Sequence, residues 1–104
     1  MFGLFRDKAL DDFAGGLAKD LSARIPPNTL DLERVTSPKF QSTLARALQT
    51  LFLEVQRYCR EHDLGVLKKA RLSKSFQDQM VGLGYSRDFV REVTMALAKH
   101  LTQI

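Results

Sequence analysis

The feature that most constrains this chain is the spacing of apolar residues in its last third, from Ser73 to Ile104. Apolar side chains recur there at intervals of three and four on both sides of Gly82-Leu83-Gly84. That spacing forms one face of an α-helix, and glycines interrupt helices. The segment therefore predicts two amphipathic helices, at about 73–83 and 87–102, joined as a C-terminal helical hairpin.

Two further helices are predicted upstream. Apolar residues keep to one face of a helix over about 7–24, and Pro26-Pro27 ends it because proline lacks the backbone N–H. Ser37 as N-cap and Pro38 at the first helical position begin the next helix, which runs over about 38–62. We therefore expect an all-α fold, a single-domain bundle of about four helices over residues 1–104. Between the first two helices, three apolar residues are expected to hold the connection to the core: Leu30, Leu32 and Val35.

Composition excludes several classes of protein. The hydrophobic fraction of 44% argues against a disordered chain, and no apolar run approaches the length of a transmembrane helix. Cys59 is the only cysteine, so an internal disulfide is excluded and a reducing compartment is the simplest expectation. The first six residues lack the basic start and long apolar region of a secretory signal. We expect a cytoplasmic protein, in which Phe2, Leu4 and Phe5 pack against the bundle rather than insert into a membrane.

The sequence offers little for catalysis or metal binding. It contains no phosphate-binding glycine loop, no nucleophile with a recognisable base and no inward-facing pair of carboxylates. Cys59, His62 and His100 are the nearest approach to a zinc site, but they lack a fourth soft ligand at a diagnostic spacing. Asp7 and Asp11 fall on the polar side of the first helix and are interpreted as solvated acids. We therefore predict a non-enzymatic protein with no catalytic, cofactor-binding or metal-binding residues and no cofactor.

Positive charge is concentrated in the second part of the chain. The net charge is +4, and residues 37–104 hold eleven basic and six acidic side chains. Residues 68–74 are the densest basic segment. A helix that began at Leu64 would place Lys68 and Lys69 on the same side as the apolar residues that follow, where burial of an ammonium group is costly. The segment is therefore predicted to be a loop or short turn, with Ser73 as N-cap of the third helix.

The C-terminal hairpin also resembles, in part, a DNA-binding helix-turn-helix over 73–97. With Gly84 as the turn glycine, Arg87 and Arg91 face outward on the second helix, where DNA contacts are made. Met80 departs from the pattern, because a small residue is needed where the two helices cross. Nucleic-acid binding through this hairpin and the basic segment is the alternative function. Its candidate contacts are the six cations Lys68, Lys69, Arg71, Lys74, Arg87 and Arg91.

Leu83-Gly84-Tyr85 resembles the Met/Leu-Gly-Phe/Tyr loop between the first two helices of ubiquitin-associated-type domains. The resemblance covers about a quarter of the chain. Thr94 stands where that family usually has leucine, and no third helix follows. The resemblance implies that Leu83 and Tyr85 are partly exposed on the loop and contact a partner.

The function that these observations favour is a non-enzymatic interaction or adaptor module with an unidentified protein partner. The second predicted helix is apolar on more than one side, which is typical of a central or shared helix and suggests self-association as a homo-oligomer. The candidate partner contacts are Phe52 and Leu53 on this helix, and Leu83 and Tyr85 on the loop of the C-terminal hairpin.

Overall fold

Four α-helices form the described part of the chain, which comprises residues 7–27 and 37–104 of a computed structural model. They are α1 (Lys8–Arg24), α2 (Pro38–Glu61), α3 (Val66–Gly82) and α4 (Arg87–Leu101). The all-α bundle with a C-terminal hairpin is thereby confirmed, and the predicted limits of three helices are correct to within one residue. The predictions for Phe2, Leu4 and Phe5 and for Leu30, Leu32 and Val35 fall outside the described residues.

Polar side chains cap three of the four helices at their first turn. Asp7 Oδ1 accepts a hydrogen bond from the backbone N–H of Leu10 at 3.0 Å. Ser37 and Ser86 accept equivalent bonds at 3.2 Å at the starts of α2 and α4. Each cap satisfies a backbone donor that has no partner within its helix. These caps explain why the starts of α1, α2 and α4 can be located from the sequence.

The predicted start of the third helix at Ser73 is wrong. α3 begins seven residues earlier, at Val66, with Gly65 as a cap that supplies no side-chain hydrogen bond. The basic segment is therefore helical and not a loop. The cost of burying Lys68 and Lys69 does not arise, because Lys68 remains exposed and Lys69 is only partly buried. Lys68 Nζ donates to Asp7 Oδ2, and Lys69 Nζ donates to the backbone oxygen of Ile104.

The helices alternate in direction along the chain. α1 and α3 run parallel. Asp7 at the start of α1 lies beside Lys68 near the start of α3, and Ile25 at the end of α1 lies beside Tyr85, just after the end of α3. α3 packs most extensively against α1 and then against α4, whereas α2 packs against α1 and, less extensively, against α4. Two sides of α3 are consequently covered, one by α1 and the other by α4.

The core lies where α1, α3 and α4 meet. Phe76, Leu72 and Met80 of α3 are completely buried, and α1 contributes a buried apolar face beside them. α2 adds only the residues Ala47, Leu51, Val55 and Cys59 to the buried set. No side chain of α2 before Ala47 is buried. In the described ranges, no helix is long and apolar enough to cross a membrane.

Candidate functional site

Two acidic residues of α1 hold the side of α3 that carries the basic segment. Lys68 Nζ lies 2.7 Å from Asp7 Oδ2. Arg71 donates to Asp11 with two nitrogens, Nη2 to Oδ2 at 2.8 Å and Nε to Oδ1 at 3.2 Å. This paired geometry matches the planar guanidinium to the carboxylate. Both acids, interpreted as solvated from the sequence, instead join α1 to α3 across about 60 residues of chain.

The ion pairs also shift the protonation equilibria of these groups. The hydrogen bond from Lys68, with a second from the Leu10 N–H, lowers the pKa of Asp7. The hydrogen bond from Arg71 is the main reason that the pKa of Asp11 is lowered, and partial burial opposes it. Both shifts favour the charged carboxylates, so these two cations are neutralised locally at neutral pH.

The six predicted polyanion contacts do not converge on one surface. Lys68 and Arg71 face α1, whereas Lys74 pairs with Asp78 one helical turn further along α3 at 3.0 Å. Arg87 and Arg91 are exposed at the start of α4, and neither forms an ion pair with another described residue. They lie at the turn of the hairpin, about 20 Å along the helix axis from the start of α3. Of the six candidate contacts, Arg87 and Arg91 are therefore the two that lie together on one surface without an acidic partner among the described residues.

The helix-turn-helix interpretation does not agree with the geometry of the hairpin. Val66, at the start of α3, and Thr102, just after α4, line the same groove. Lys69 Nζ reaches the backbone oxygen of Ile104 at 3.0 Å. Contacts at the open end of the hairpin show that its two helices lie side by side and antiparallel over their whole lengths. A helix-turn-helix instead crosses its helices at roughly 90–120°. Met80 is completely buried at the position where that motif needs a small residue.

The four predicted partner contacts divide into exposed and covered residues. Leu53 is 58% exposed and Leu83 38% exposed, so both can be reached from solvent. Phe52 is half-buried, and its ring stacks on His100 with centroids 5.0 Å apart. Tyr85 is only 4% exposed, so the expectation that it is partly exposed is wrong. Its hydroxyl bonds to the backbone of Ile25, and its ring stacks on Phe89.

A more exposed apolar surface lies on the outer side of the α3–α4 hairpin. Val66 and Leu67 are 82% and 85% exposed at the start of α3. Val81 near its end and Met95 on α4 are also exposed. Sequence reasoning missed this surface because Val66 and Leu67 were assigned to a loop. The available signal was Gly65 followed by a helix-compatible run without proline.

Between these helices runs a groove of about 390 Å³, named here the hairpin groove. Its walls are formed by Val66, Ala70 and Ser73 of α3, by Ala98 and Leu101 of α4, and by the adjoining Lys69 and Thr102. Small side chains face one another across it, and they leave space that larger residues would fill. The lining is predominantly apolar and open to solvent, as in grooves that accept an apolar side chain.

The residues considered for metal binding lie in separate environments. His62 packs against Tyr58 with ring centroids 4.2 Å apart, whereas His100 stacks on Phe52. Cys59 is buried, and burial raises the pKa of its thiol, which disfavours the thiolate that binds metals. Across residues 7–27 and 37–104, no three potential metal-binding side chains come together.

Comparison with known proteins adds no relative from which a role could be transferred. A scan against protein-family models, a search of curated proteins and a search of solved structures each gave no match to this chain.

Proposed function

We propose that this protein is a non-enzymatic interaction module that binds a protein partner through the hairpin groove. The observation that supports this proposal is the exposure of Val66, which lines a groove with predominantly apolar walls, and of Leu67, the next residue of α3. Adjacent apolar side chains that remain exposed are typical of interaction sites.

Burial of these side chains supplies the driving force for binding. Covering a fully exposed valine or leucine side chain is worth about 1.5–3 kcal/mol. Val66 and Leu67 retain most of their surface, and neither α1 nor α2 packs against this side of α3 strongly enough to cover them. A partner that covers both therefore gains several times the thermal energy before any polar contact is made.

Self-association through α2 has less support from the structure. Leu51 and Val55 are buried inside the bundle, and Phe52 is covered in part by His100. Leu53 is the single strongly exposed large apolar residue in the described part of α2. The proposed partner surface is accordingly the hairpin groove, and self-association is an outcome that the experiment distinguishes.

Site-specific photocrosslinking in the source cell tests the proposal. A benzophenone amino acid replaces Leu67 in one variant and Ala45, which is exposed on α2, in the matched control. We expect irradiation to give a discrete adduct for the Leu67 variant and none for the control. An adduct of twice the chain mass would identify a second copy as the partner. Equal labelling at both positions, or none at Leu67, would contradict the proposal.

Nucleic-acid binding is the second candidate function. The observation in its favour is that Arg87 and Arg91 are exposed, one turn apart, and free of ion pairs with the described residues. Because Lys68, Arg71 and Lys74 are each paired with an acid, Arg87 and Arg91 are the two of the six candidate contacts that lie together without an acidic partner among the described residues.

A further inference from the structure

The side of α4 that lines the hairpin groove carries positive charge beyond the groove, towards the turn of the hairpin. Along α4, Arg87, Arg91, Ala98 and Thr102 follow one another at intervals of four, seven and four, which places them on one side of the helix. Ala98 and Thr102 line the groove, so the two arginines extend the same side towards the turn. This side of α4 is thus apolar where it lines the groove, at the open end of the hairpin, and it carries two arginines nearer the turn.

Acidic side chains do not offset this charge on the groove side of α4. Asp88 and Glu92 each follow an arginine by one residue, which turns them about 100° around the helix. That rotation carries them away from the buried side of α4, because Val90 and Leu101 lie on the other side of the arginines. Lys69 adds another positive charge to the groove wall, with its ammonium group against the Ile104 oxygen. Among the described residues, the charged side chains in the groove wall and on the groove side of α4 are therefore Lys69, Arg87 and Arg91.

We propose that the hairpin groove binds an acidic amphipathic helix of a partner protein, an inference that rests on the interaction function proposed above. Apolar side chains of the partner fill the space between Ala70 and Ala98. Carboxylates on the same side of the partner helix meet Arg91 and Arg87. Recognition of this type places a helix in an apolar groove and uses charge to set its direction.

The dimensions of the hairpin define the partner helix. Val66 and Val81 are separated by about 22 Å of helix axis, the length of a helix of about 15 residues. Ala98 and Arg91 are about 10 Å apart along α4, which corresponds to two turns of a partner helix. The acidic residues of the partner should therefore lie about seven positions from its apolar anchors.

A second copy of this chain does not meet these requirements. The groove sides of two copies would bring basic residues together, and no acid among the described residues of the groove side would face them in either relative direction of the helices. Desolvation of an unpaired guanidinium opposes such a contact. An acidic partner removes this penalty and gains charge-assisted hydrogen bonds.

A display selection tests the charge requirement directly. A library of 15-residue helical peptides, randomised on one side, is selected against the full chain and against the R87E/R91E variant. The matched control is R57E/R60E, which reverses two exposed arginines of α2 and changes the net charge equally. The variant A98Q, at an exposed helical position, blocks the groove without removing a core residue. Circular dichroism verifies that all four proteins are folded.

We expect peptides selected on the natural chain and on R57E/R60E to be enriched in Asp and Glu about seven positions from their apolar residues. On R87E/R91E, the same positions should be enriched in Lys and Arg. A selected acidic peptide should bind R87E/R91E and A98Q at least about tenfold more weakly than the natural chain.

Three results would overturn the inference: no enriched peptide, no preference for acidic residues, or the same preference on R87E/R91E. Displacement of the selected peptide by a 20-nucleotide RNA or DNA at lower concentration than by the unlabelled peptide would also overturn it, because the arginines would then be phosphate contacts. Purely apolar peptides that bind the natural chain and not A98Q would exclude the acidic partner and leave the interaction function supported. Absence of A98Q-sensitive peptides together with absence of a Leu67 adduct would remove both.

Discussion

The phenolic hydroxyl of Tyr85 donates a hydrogen bond to the backbone carbonyl oxygen of Ile25, which lies 60 residues earlier in the chain. This bond joins the turn of the α3–α4 hairpin to the end of α1. Ile25 is itself buried, and its N–H bonds to the Leu21 carbonyl at 2.7 Å. A residue predicted to contact a partner thus has an internal structural role.

Replacement of Tyr85 by Phe should lower the free energy of unfolding by about 1–2 kcal/mol. The reason is that a buried carbonyl loses its hydrogen-bond donor while the ring remains. Urea denaturation followed by circular dichroism measures this change. Tyr58→Phe is the matched control, since the Tyr58 ring stacks on Phe13 and its hydroxyl has no hydrogen bond within the described residues. An equal loss in both variants would show that the Tyr85 bond contributes nothing specific.

The same hydroxyl should make stability depend on alkaline pH. Burial raises the pKa of Tyr85 from 10.0 to about 12. Because the folded state holds the proton more tightly, this contribution is complete below pH 10 and is lost as the pH rises through 12. The difference in urea midpoint between the natural chain and Tyr85→Phe should therefore shrink over that interval. A difference that is constant from pH 8 to pH 12 would contradict the assignment.

The Arg71–Asp11 pair should make the stability of the protein depend on pH in the acidic range. The pKa of Asp11 is lowered, mainly by the Arg71 hydrogen bond, so its contribution is present above about pH 4 and lost as the pH falls below that value. Asp11→Asn should lower the urea midpoint at pH 7 and have little effect at pH 2.5. Asp12→Asn, at an exposed neighbouring carboxylate, is the control and should change neither value. Equal effects of Asp11→Asn at both pH values would exclude a charge-dependent role.

Two glycines should respond to alanine in opposite directions. A Cβ at Gly16, in the middle of α1, would have no atom within 4 Å, so Gly16→Ala should stabilise the protein by about 0.5–1 kcal/mol. Gly84 has φ +97°, a conformation that L-residues avoid, so Gly84→Ala should destabilise it by about 1–3 kcal/mol. Thermal unfolding of the two variants checks both signs. Stabilisation by both would mean that the hairpin turn adapts to a side chain.

Nucleic-acid binding, if it occurs, should show a shallow dependence on salt. The logarithm of the affinity falls with the logarithm of salt concentration by about 0.9 for each phosphate neutralised on duplex DNA. If the phosphate contacts are Arg87 and Arg91 alone, the slope should be about −2. Fluorescence anisotropy with labelled duplex DNA at several salt concentrations measures it. A slope near −5 would show that the cations of α3 leave their acidic partners to bind phosphate.

Local signals account for the parts of the fold that the sequence predicts well. Ser37 and Ser86 each cap a helix through a residue three positions away, and proline ends α1 through its immediate neighbours. Apolar spacing likewise identifies the faces that become buried. All of these depend on residues close in sequence, so they can be recognised without knowledge of the packing.

The start of α3 and the candidate site depend instead on contacts between distant residues. The parallel packing of α1 and α3 leaves Lys68 exposed at the edge of α3, beside Asp7, and not in the core as the sequence pattern indicated. The local signal for the helix start, Gly65 followed by a run without proline, was therefore outweighed by the expected cost of burying the lysines. The hairpin groove exists only because α3 begins at Val66, so a helix that started at Ser73 could not predict it.

The first part of α2 has a consequence for how this protein can be handled. No side chain between Pro38 and Arg46 is buried, and these residues begin where α1 ends, at the opposite end of α1 from the Asp7–Lys68 pair. A fluorophore or surface-immobilisation tag attached at Ala45 would therefore leave both the core and the open end of the hairpin undisturbed. Ala45 is therefore a suitable attachment site for single-molecule and surface-based binding measurements.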